Sequence, residues 1–569
     1  MQKPTRAIRW LIISALLLTR CAAERGAPPA TETTKTAARD FESTTIDGDL
    51  QRPTPNLQKE TLEKPNATIG AFAGQAIVRG AATGESVADM YFRHYGTNPT
   101  IDTGYEARST FSIDVDTAGY TMARAYLSQG QLPPEAAVRV EEMVNAIDYG
   151  YEAPTDAPFT LVGESAPSPT RPGYQFLHLG LKAKEVSKRE RQPTTLVFVI
   201  DVSGSMGQDN RLALVKRAMR LLLGELDARD RVGVVVYGSD AHVLLPVTSA
   251  TDKERIAAAI DDLGTEGSTN MQAGLNLGYT VLSAAFEAGH NHRIILCSDG
   301  VANNGLTDAD ALWGVVKDKA KKGITISTVG FGMGGYNDVL MERLAQVGDG
   351  NYAYVDREDE AHRVFVEGLT GTLQVIARDT KIQVEFDPAV VLRYRLVGYE
   401  NRLLASRDFA DDQKDAGEVG AGRSVTAIYE VKLRDQARDA ALGVVRIRYK
   451  TELGAASTLL ERPIKAAIKR KSFEEASPAT RLSFVAAGFG EKLRGSYWAR
   501  PLSYDTLLRV HAGLPKAMLA QPRIQELGEL IRTAKGLDQR QDRFEAEEPL
   551  AQMSFEDVPI VRRAQDAPR

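Results

Sequence analysis

Cysteine is almost missing from this chain: 569 residues contain two, Cys21 and Cys297. If Cys21 is consumed at the N-terminus, Cys297 has no partner within the chain, and an internal disulfide is excluded. The setting of Cys297 in RIILCSDG reads as a buried strand, where a thiol is an inert core group. An excess of positive charge is missing too. Lys and Arg number 70 against 75 Asp and Glu, a net charge of -5, and no basic run exceeds KRK at 469–471. That run reads as a solvated face, and nothing here gives an electrostatic reason to expect nucleic acid as a partner. The third absence is a membrane-spanning run, because the apolar stretch WLIISALLL at 10–18 is too short to cross a bilayer as a helix.

What that stretch does resemble is an export signal. Lys3, Arg6 and Arg9 precede it, and Ala22 and Ala23 follow, so residues 1–23 read as a signal peptide. Leu18-Thr19-Arg20-Cys21 resembles a bacterial lipobox, which implies acylation of Cys21 and a lipid anchor in a membrane. Arg20 departs from the small residue expected there, and simple cleavage after Ala23 is the alternative. The expected location is the cell envelope: the periplasmic face of a membrane as a lipoprotein, or a secreted or periplasmic form if cleavage follows Ala23.

The length implies roughly three to four domains. Residues 24–84, rich in Pro, Thr, Ala, Glu and Gly, bury too little to offset ordering and read as a disordered tether. Residues 85–192 read as an N-terminal α+β domain. In it STFSIDVDT alternates as a half-buried strand, and Val140, Met143, Val144 and Ile147 share a helix face. In GYQFLHLGLKA, Leu177, Leu179 and Leu181 share one side while His178 points the other way, toward solvent. Between 193 and 376 apolar runs alternate with helical patterns, which predicts an α/β, doubly wound (Rossmann-like) domain with a parallel sheet covered on both faces. Residues 377–475 return to alternating strands and read as a β-rich domain. From Ser477-Pro478 the chain turns helical, giving a C-terminal helical region over 476–540, and 541–569 read as a flexible tail.

The chemistry concentrates in VFVIDVSGSMG at 197–207. A nucleophilic Ser205 on a strand-to-helix turn lacks the glycine two residues before it that an α/β-hydrolase elbow needs, since Ser203 stands there. His290 and His292 flank the start of a strand, away from the active end. A second candidate is GFGMGG at 330–335, which satisfies GxGxxG with Gly330, Gly332 and Gly335 and is trailed by Asp356. It belongs to the penultimate strand, however, and Met333 and Tyr336 crowd it; glycines in a tight strand-to-helix connection need no ligand. The DVD at 114–116 lacks the context of a phosphatase D-x-D and reads as a strand end with solvated carboxylates. DDQKDAGE at 411–418 lacks EF-hand spacing and reads as a solvated loop.

The third candidate draws on three loops. Asp201, Ser203 and Ser205 form D-x-S-x-S; Thr269 lies in GSTNMQAGL; Asp299 ends RIILCSDG. In a parallel sheet these loops emerge at the carboxyl edge. Hydroxyls and carboxylates are hard ligands for Mg²⁺ (or Mn²⁺), and two carboxylates among neutral oxygens leave such a cation short of negative charge. This set resembles the metal-ion-dependent adhesion site of von Willebrand factor A domains. STFSIDVDTAGY, RVEEMVNAIDY, TVGFGMGGYNDVLMERLA and RLVGYENRLL extend the resemblance to bacterial von Willebrand A domain lipoproteins with their own segments before and after the A domain.

The resemblance implies a binding or scaffold protein and not an enzyme, with an Asp or Glu of a protein partner completing the metal. The alternatives are a nucleotide-binding protein or enzyme using the 330–335 loop, and a structural envelope protein with a vestigial site. A shift of the A domain's last helix, near 358–372, is a further implication of the family.

Overall fold

In the computed structural model every residue of Thr194–Asp201 is buried. A strand without polar alternation is one covered on both faces, and this strand lies inside a six-stranded sheet. The order is Tyr352–Val355, Ile324–Phe331, Asn291–Ser298, Thr194–Asp201, Arg231–Tyr237, Ala241–Ser249. The structure describes residues 77–79, 90–113, 115–300, 309–333, 336–368, 371, 373–414, 416–435, 440–465, 469–539, 548–553 and 559–562. All fall in one unit, Phe72–Arg569. The signal segment 1–23 with Cys21, most of the 24–84 tether, Asp114, and Gly334 with Gly335 lie outside the described residues.

The two faces of the central sheet hold separate cores. Val197, Val199, Leu275, Ile294 and Met341 pack on one side, and Phe198, Ile200, Val215, Met219 and Ile260 on the other. Each fully buried side chain of this kind contributes about 1.5–3 kcal/mol. Five strands are parallel, as the alternation predicts; the sixth, Ala241–Ser249, pairs antiparallel with Arg231–Tyr237. The connection at 238–240 is too short for a crossover, so the chain turns straight back as a hairpin.

Outside this sheet, strands from before and after it interleave. Arg108–Ser112 pairs with Val375–Phe386 in one five-stranded sheet. Tyr174–Ala183 pairs with Ser424–Leu433 in a second. Phe111, Leu177, Leu181, Val384, Tyr429 and Ile447 fill one core between them, so the two sheets form a sandwich whose chain is interrupted by the central domain. A helical layer of Ala118–Ser128, Val140–Asn145, Pro478–Leu493, Tyr504–Ala512 and Pro522–Leu537 closes over the second sheet through Val144, Phe176, Ile428 and Phe489. Two short antiparallel pairs complete the described strands: Ile77–Arg79 with Tyr91–Arg93, the first of them within the stretch read as tether, and Leu550–Met553 with Pro559–Arg562. Among the described residues no helix is long and apolar enough to cross a membrane.

Two sequence expectations change for this reason. His178 does point away from Leu177 and Leu179, but it is 2 % exposed, because the helical layer covers that face. Its Nδ1 lies 2.8 Å from Ser483 Oγ and its Nε2 2.7 Å from Tyr151 Oη. Asp116 is likewise buried rather than solvated, accepting from Tyr352 N at 2.8 Å and Arg402 Nη2 at 3.2 Å.

Burial pushes the His178 imidazole down from 6.5 to about 4. The folded protein then binds fewer protons than the unfolded chain between those values. The associated stability is complete above 6.5 and is lost as pH falls toward 4. At pH 5 the loss is about 2 kcal/mol. In urea unfolding at pH 7 and pH 5, the native protein is expected to lose about that much more than His178→Gln, a double difference in which carboxylates common to both cancel.

Candidate metal-binding site

The parallel strands end at a common edge, and the strand order reverses between Thr194–Asp201, which runs on to Arg231–Tyr237 on one side, and Asn291–Ser298 on the other. Such a reversal opens a crevice at the carboxyl ends. The residues at that point are Asp201 and, one past the strand, Asp299. His290 and His292 lie at the opposite end of Asn291–Ser298.

Asp201, Ser203, Thr269 and Asp299 are each 2 % exposed or less, while Ser205 is half-buried and Gly204, Gly207 and 264–268 are exposed around them. The result is a floor of oxygens with an open rim. Asp201 Oδ1 accepts from Ser203 N at 2.9 Å and Oδ2 from Ser298 Oγ at 3.0 Å, which orients the carboxylate. Ser203 Oγ and Ser205 Oγ are 3.0 Å apart. The loop of Thr269 is tied to that of Asp201 by backbone: Glu266 N donates to Val202 O at 2.5 Å and Gly204 N to Gly267 O at 3.3 Å. Thr269 then precedes Asn270, whose side chain caps Met271–Ala284 by accepting from Ala273 N. Thr269 makes no hydrogen bond to the other four among the described residues.

Burial, and then the neighbouring Asp299, push the Asp201 carboxyl up to about 6. Asp299 therefore sits close enough, in a dry enough place, to disfavour the charge of Asp201. No three His, Cys, Asp or Glu side chains gather as a metal-ligating group among the described residues. A cation here has to rely on hydroxyls beside two carboxylates, the donor set that suits a hard ion.

Arg211 was not anticipated. It opens the helix Arg211–Glu225, is 4 % exposed, and donates from Nη1 to Asp299 Oδ2 at 2.8 Å and Ser205 O at 3.3 Å. A cation at a helix N-terminus opposes the helix dipole, so an arginine in that place is the sequence signal that a nearby carboxylate compensates it. Asp209, 3.6 Å from Arg211, is 71 % exposed and its charge is screened by solvent.

Arg211 also accounts for part of GFGMGG. Its Nη2 donates to Met333 O, and a Cβ on Gly332, whose φ is +79°, would lie 2.1 Å from Arg211 Nε. A Cβ on Gly330 would lie 1.9 Å from Tyr336 Oη. Both glycines are required by packing against side chains that fill the space in front of them. Cys297, 1 % exposed on the strand leading to Asp299, has its thiol pushed far up by burial. It is expected to ignore an aromatic disulfide reagent in the folded protein and to react fully in denaturant; fast labelling without denaturant would contradict the buried strand.

Comparison with known proteins agrees with this architecture. Family models match three consecutive regions: "von Willebrand factor" at 86–178, "von Willebrand factor type A domain" at 195–367, and "Uncharacterized protein YfbK, C-terminal" at 371–537. The "Uncharacterized protein YfbK" of Escherichia coli (strain K12) is 36 % identical over 442 residues, covering 73 % of this chain and 76 % of that protein. The "Uncharacterized protein sll0103" of Synechocystis sp. (strain ATCC 27184 / PCC 6803 / Kazusa) is 29 % identical over 304 residues, 52 % of this chain and 70 % of that one. Among solved structures, "von Willebrand factor type A from Catenulispora acidiphila" aligns with 68 % of this chain and 91 % of its own at 17 % identity and a TM-score of 0.40. The chain belongs to the bacterial family in which a von Willebrand factor type A domain is set between a characteristic N-terminal segment and a YfbK-type C-terminal segment.

Proposed function

We propose that the protein is an exported binding or scaffold protein, held at the cell envelope by acylation of Cys21, that recognises an Asp or Glu of a protein partner through Mg²⁺ or Mn²⁺. Proteins built on von Willebrand A domains are in general interaction and adhesion scaffolds, typically non-enzymatic, and commonly carry a divalent cation. In this chain Asp201, Ser203, Ser205, Thr269 and Asp299 would hold it. The cation supplies an electrophilic point to which an anionic oxygen can bind in exchange for water.

The observation that carries this reading is the charge of the site. Two buried carboxylates and one buried guanidinium leave a single negative charge, and a dication turns it into a single positive one. That is the complement of one carboxylate. Ser203 and Ser205 supply neutral oxygens, and the exposed rim leaves room for a side chain from outside. The test is capture of partners from an envelope extract in Mg²⁺ and in EDTA, with Asp299→Ala as control. A partner retained only in Mg²⁺ and only by the native protein supports the proposal; identical capture in all three conditions sinks it.

A further inference from the structure

The connections around the floor of Asp201 and Asp299 are without exposed positive charge. None of 202–210, 238–240, 263–270 and 332–337 contains a lysine or arginine, and neither does 299–308, which follows the strand Asn291–Ser298 in sequence. At the frequency of the whole chain, 70 in 569, that length would carry about four. Three carboxylates stand there instead. Asp209 is 71 % exposed, Glu266 is 55 % exposed, and Asp240 is exposed as well. Each is tied to the floor by a short route. Asp209 lies 3.6 Å from Arg211, which holds Asp299, and Glu266 donates its N–H to Val202 O. The carbonyl of Asp240 accepts from Gly238 N at 3.0 Å, and Gly238 O accepts from Asn270 N, next to Thr269. Helix dipoles account for part of this, since Arg211–Glu225 and Met271–Ala284 start here and their N-termini disfavour cations. Asp240 precedes a strand, Ala241–Ser249, and its carboxylate makes no hydrogen bond or ion pair among the described residues. The base beside Glu266 is His242, with Nδ1 3.6 Å from Oε1.

The site therefore presents two fields. A loaded floor carries one surplus positive charge and draws in one carboxylate, while the rim carries three negative charges that solvent screens but does not cancel. A lone acidic group meets attraction at the metal and repulsion on the way to it. An acidic group with cations beside it meets attraction throughout.

We propose, on the basis of the metal-bridged contact above, that the partner's Asp or Glu is flanked by lysine or arginine: the metal takes the acid, and the rim of Asp209, Asp240 and Glu266 takes the neighbouring cations. In an extended segment the residues two positions before and after the acid share its face, at about 3.3 Å per residue, so basic side chains there are directed at the rim.

Three capped peptides, Lys-Ala-Asp-Ala-Lys, Gln-Ala-Asp-Ala-Gln and Glu-Ala-Asp-Ala-Glu, test this by ligand-observed NMR titration against the full chain in Mg²⁺ and in EDTA. In Mg²⁺ the lysine peptide is expected to bind about fivefold more tightly than the glutamine peptide, since each exposed pair is worth a factor of about two to three. The glutamate peptide should bind more weakly than either. In 1 M NaCl, where the screening length is about 3 Å, the three should converge to within about twofold. The triple variant Asp209→Asn, Asp240→Asn, Glu266→Gln should converge in the same way at low salt. Asp240→Asn alone, which disturbs no side-chain contact among the described residues, should lower the preference about twofold. A lysine peptide within about twofold of the glutamine peptide in Mg²⁺, or a preference that survives in the triple variant, overturns the proposal and leaves the metal-bridged contact standing. If no peptide up to about 10 mM binds more tightly in Mg²⁺ than in EDTA, the metal-bridged contact fails and this proposal with it.

Discussion

Asp201→Ala is expected to weaken Mg²⁺ or Mn²⁺ binding at least about 100-fold, more than is typical for removing a group that only supports a ligand. The reason is positional. Asp201 is buried, fixed by Ser203 N and Ser298 Oγ, and accounts with Asp299 for all the negative charge of the floor. Calorimetric titration of the metal reads the effect directly, and retention of an Asp- or Glu-bearing partner in Mg²⁺ should fall with it. Arg211→Gln is expected to separate the two readouts. Removing the guanidinium from Asp299 leaves a more negative floor, so the metal binds more tightly; the loaded site then has no surplus positive charge, so the acidic partner binds more weakly. If Asp201→Ala still takes up the cation normally, or if Arg211→Gln moves both affinities the same way, the charge argument fails.

The second large effect concerns stability. Arg124 is 2 % exposed and meets three carboxylates from separate elements: Asp356 after the last sheet strand, Glu360 on the following helix at 3.0 Å, and Glu526 on Pro522–Leu537 at 3.2 Å. Arg523 binds Glu360 as well, at 2.9 Å. Arg124→Met is expected to cost about 3–5 kcal/mol, because it leaves buried Glu360 and partly buried Asp356 with too little positive charge around them. Arg124→Lys should fall between, since one ammonium cannot make the forked contacts of a guanidinium. The midpoint of urea unfolding at pH 7 checks both, and a loss under about 1 kcal/mol for Arg124→Met would mean that water enters and solvates the carboxylates. The network joins the helix Ala118–Ser128 and the C-terminal helix Pro522–Leu537 to the last helix of the A domain, so any movement of that helix would have to break it.

Much of the A domain is legible in the residues. A strand covered on both faces needs continuous apolar residues, as in Thr194–Asp201, and an amphipathic helix needs the spacing seen in Arg211–Glu225. Asp201, Ser203 and Ser205 could be read together because three oxygens behind such a strand have no packing role. Thr269 and Asp299 could be added, although their loops are far away in the chain, because a parallel sheet brings such loops to one carboxyl edge. Nothing local assigned Arg211 to Asp299, 88 positions apart, although its place at a helix N-terminus was a clue.

The sequence by itself determined the elements and their inward faces, because periodicity is a local consequence of backbone geometry: Leu177 and Leu179 face one way and His178 the other whatever surrounds them. What covers each face was decided only in three dimensions. His178 is dry because a helix some 300 positions later packs on it, and Asp116 is buried because Arg402 and the Tyr352 amide reach it. Strands on both sides of the A domain share two sheets because each alone would leave an apolar face in water. Partner choice over such distances depends on the summed burial of the whole chain, which no window of residues contains.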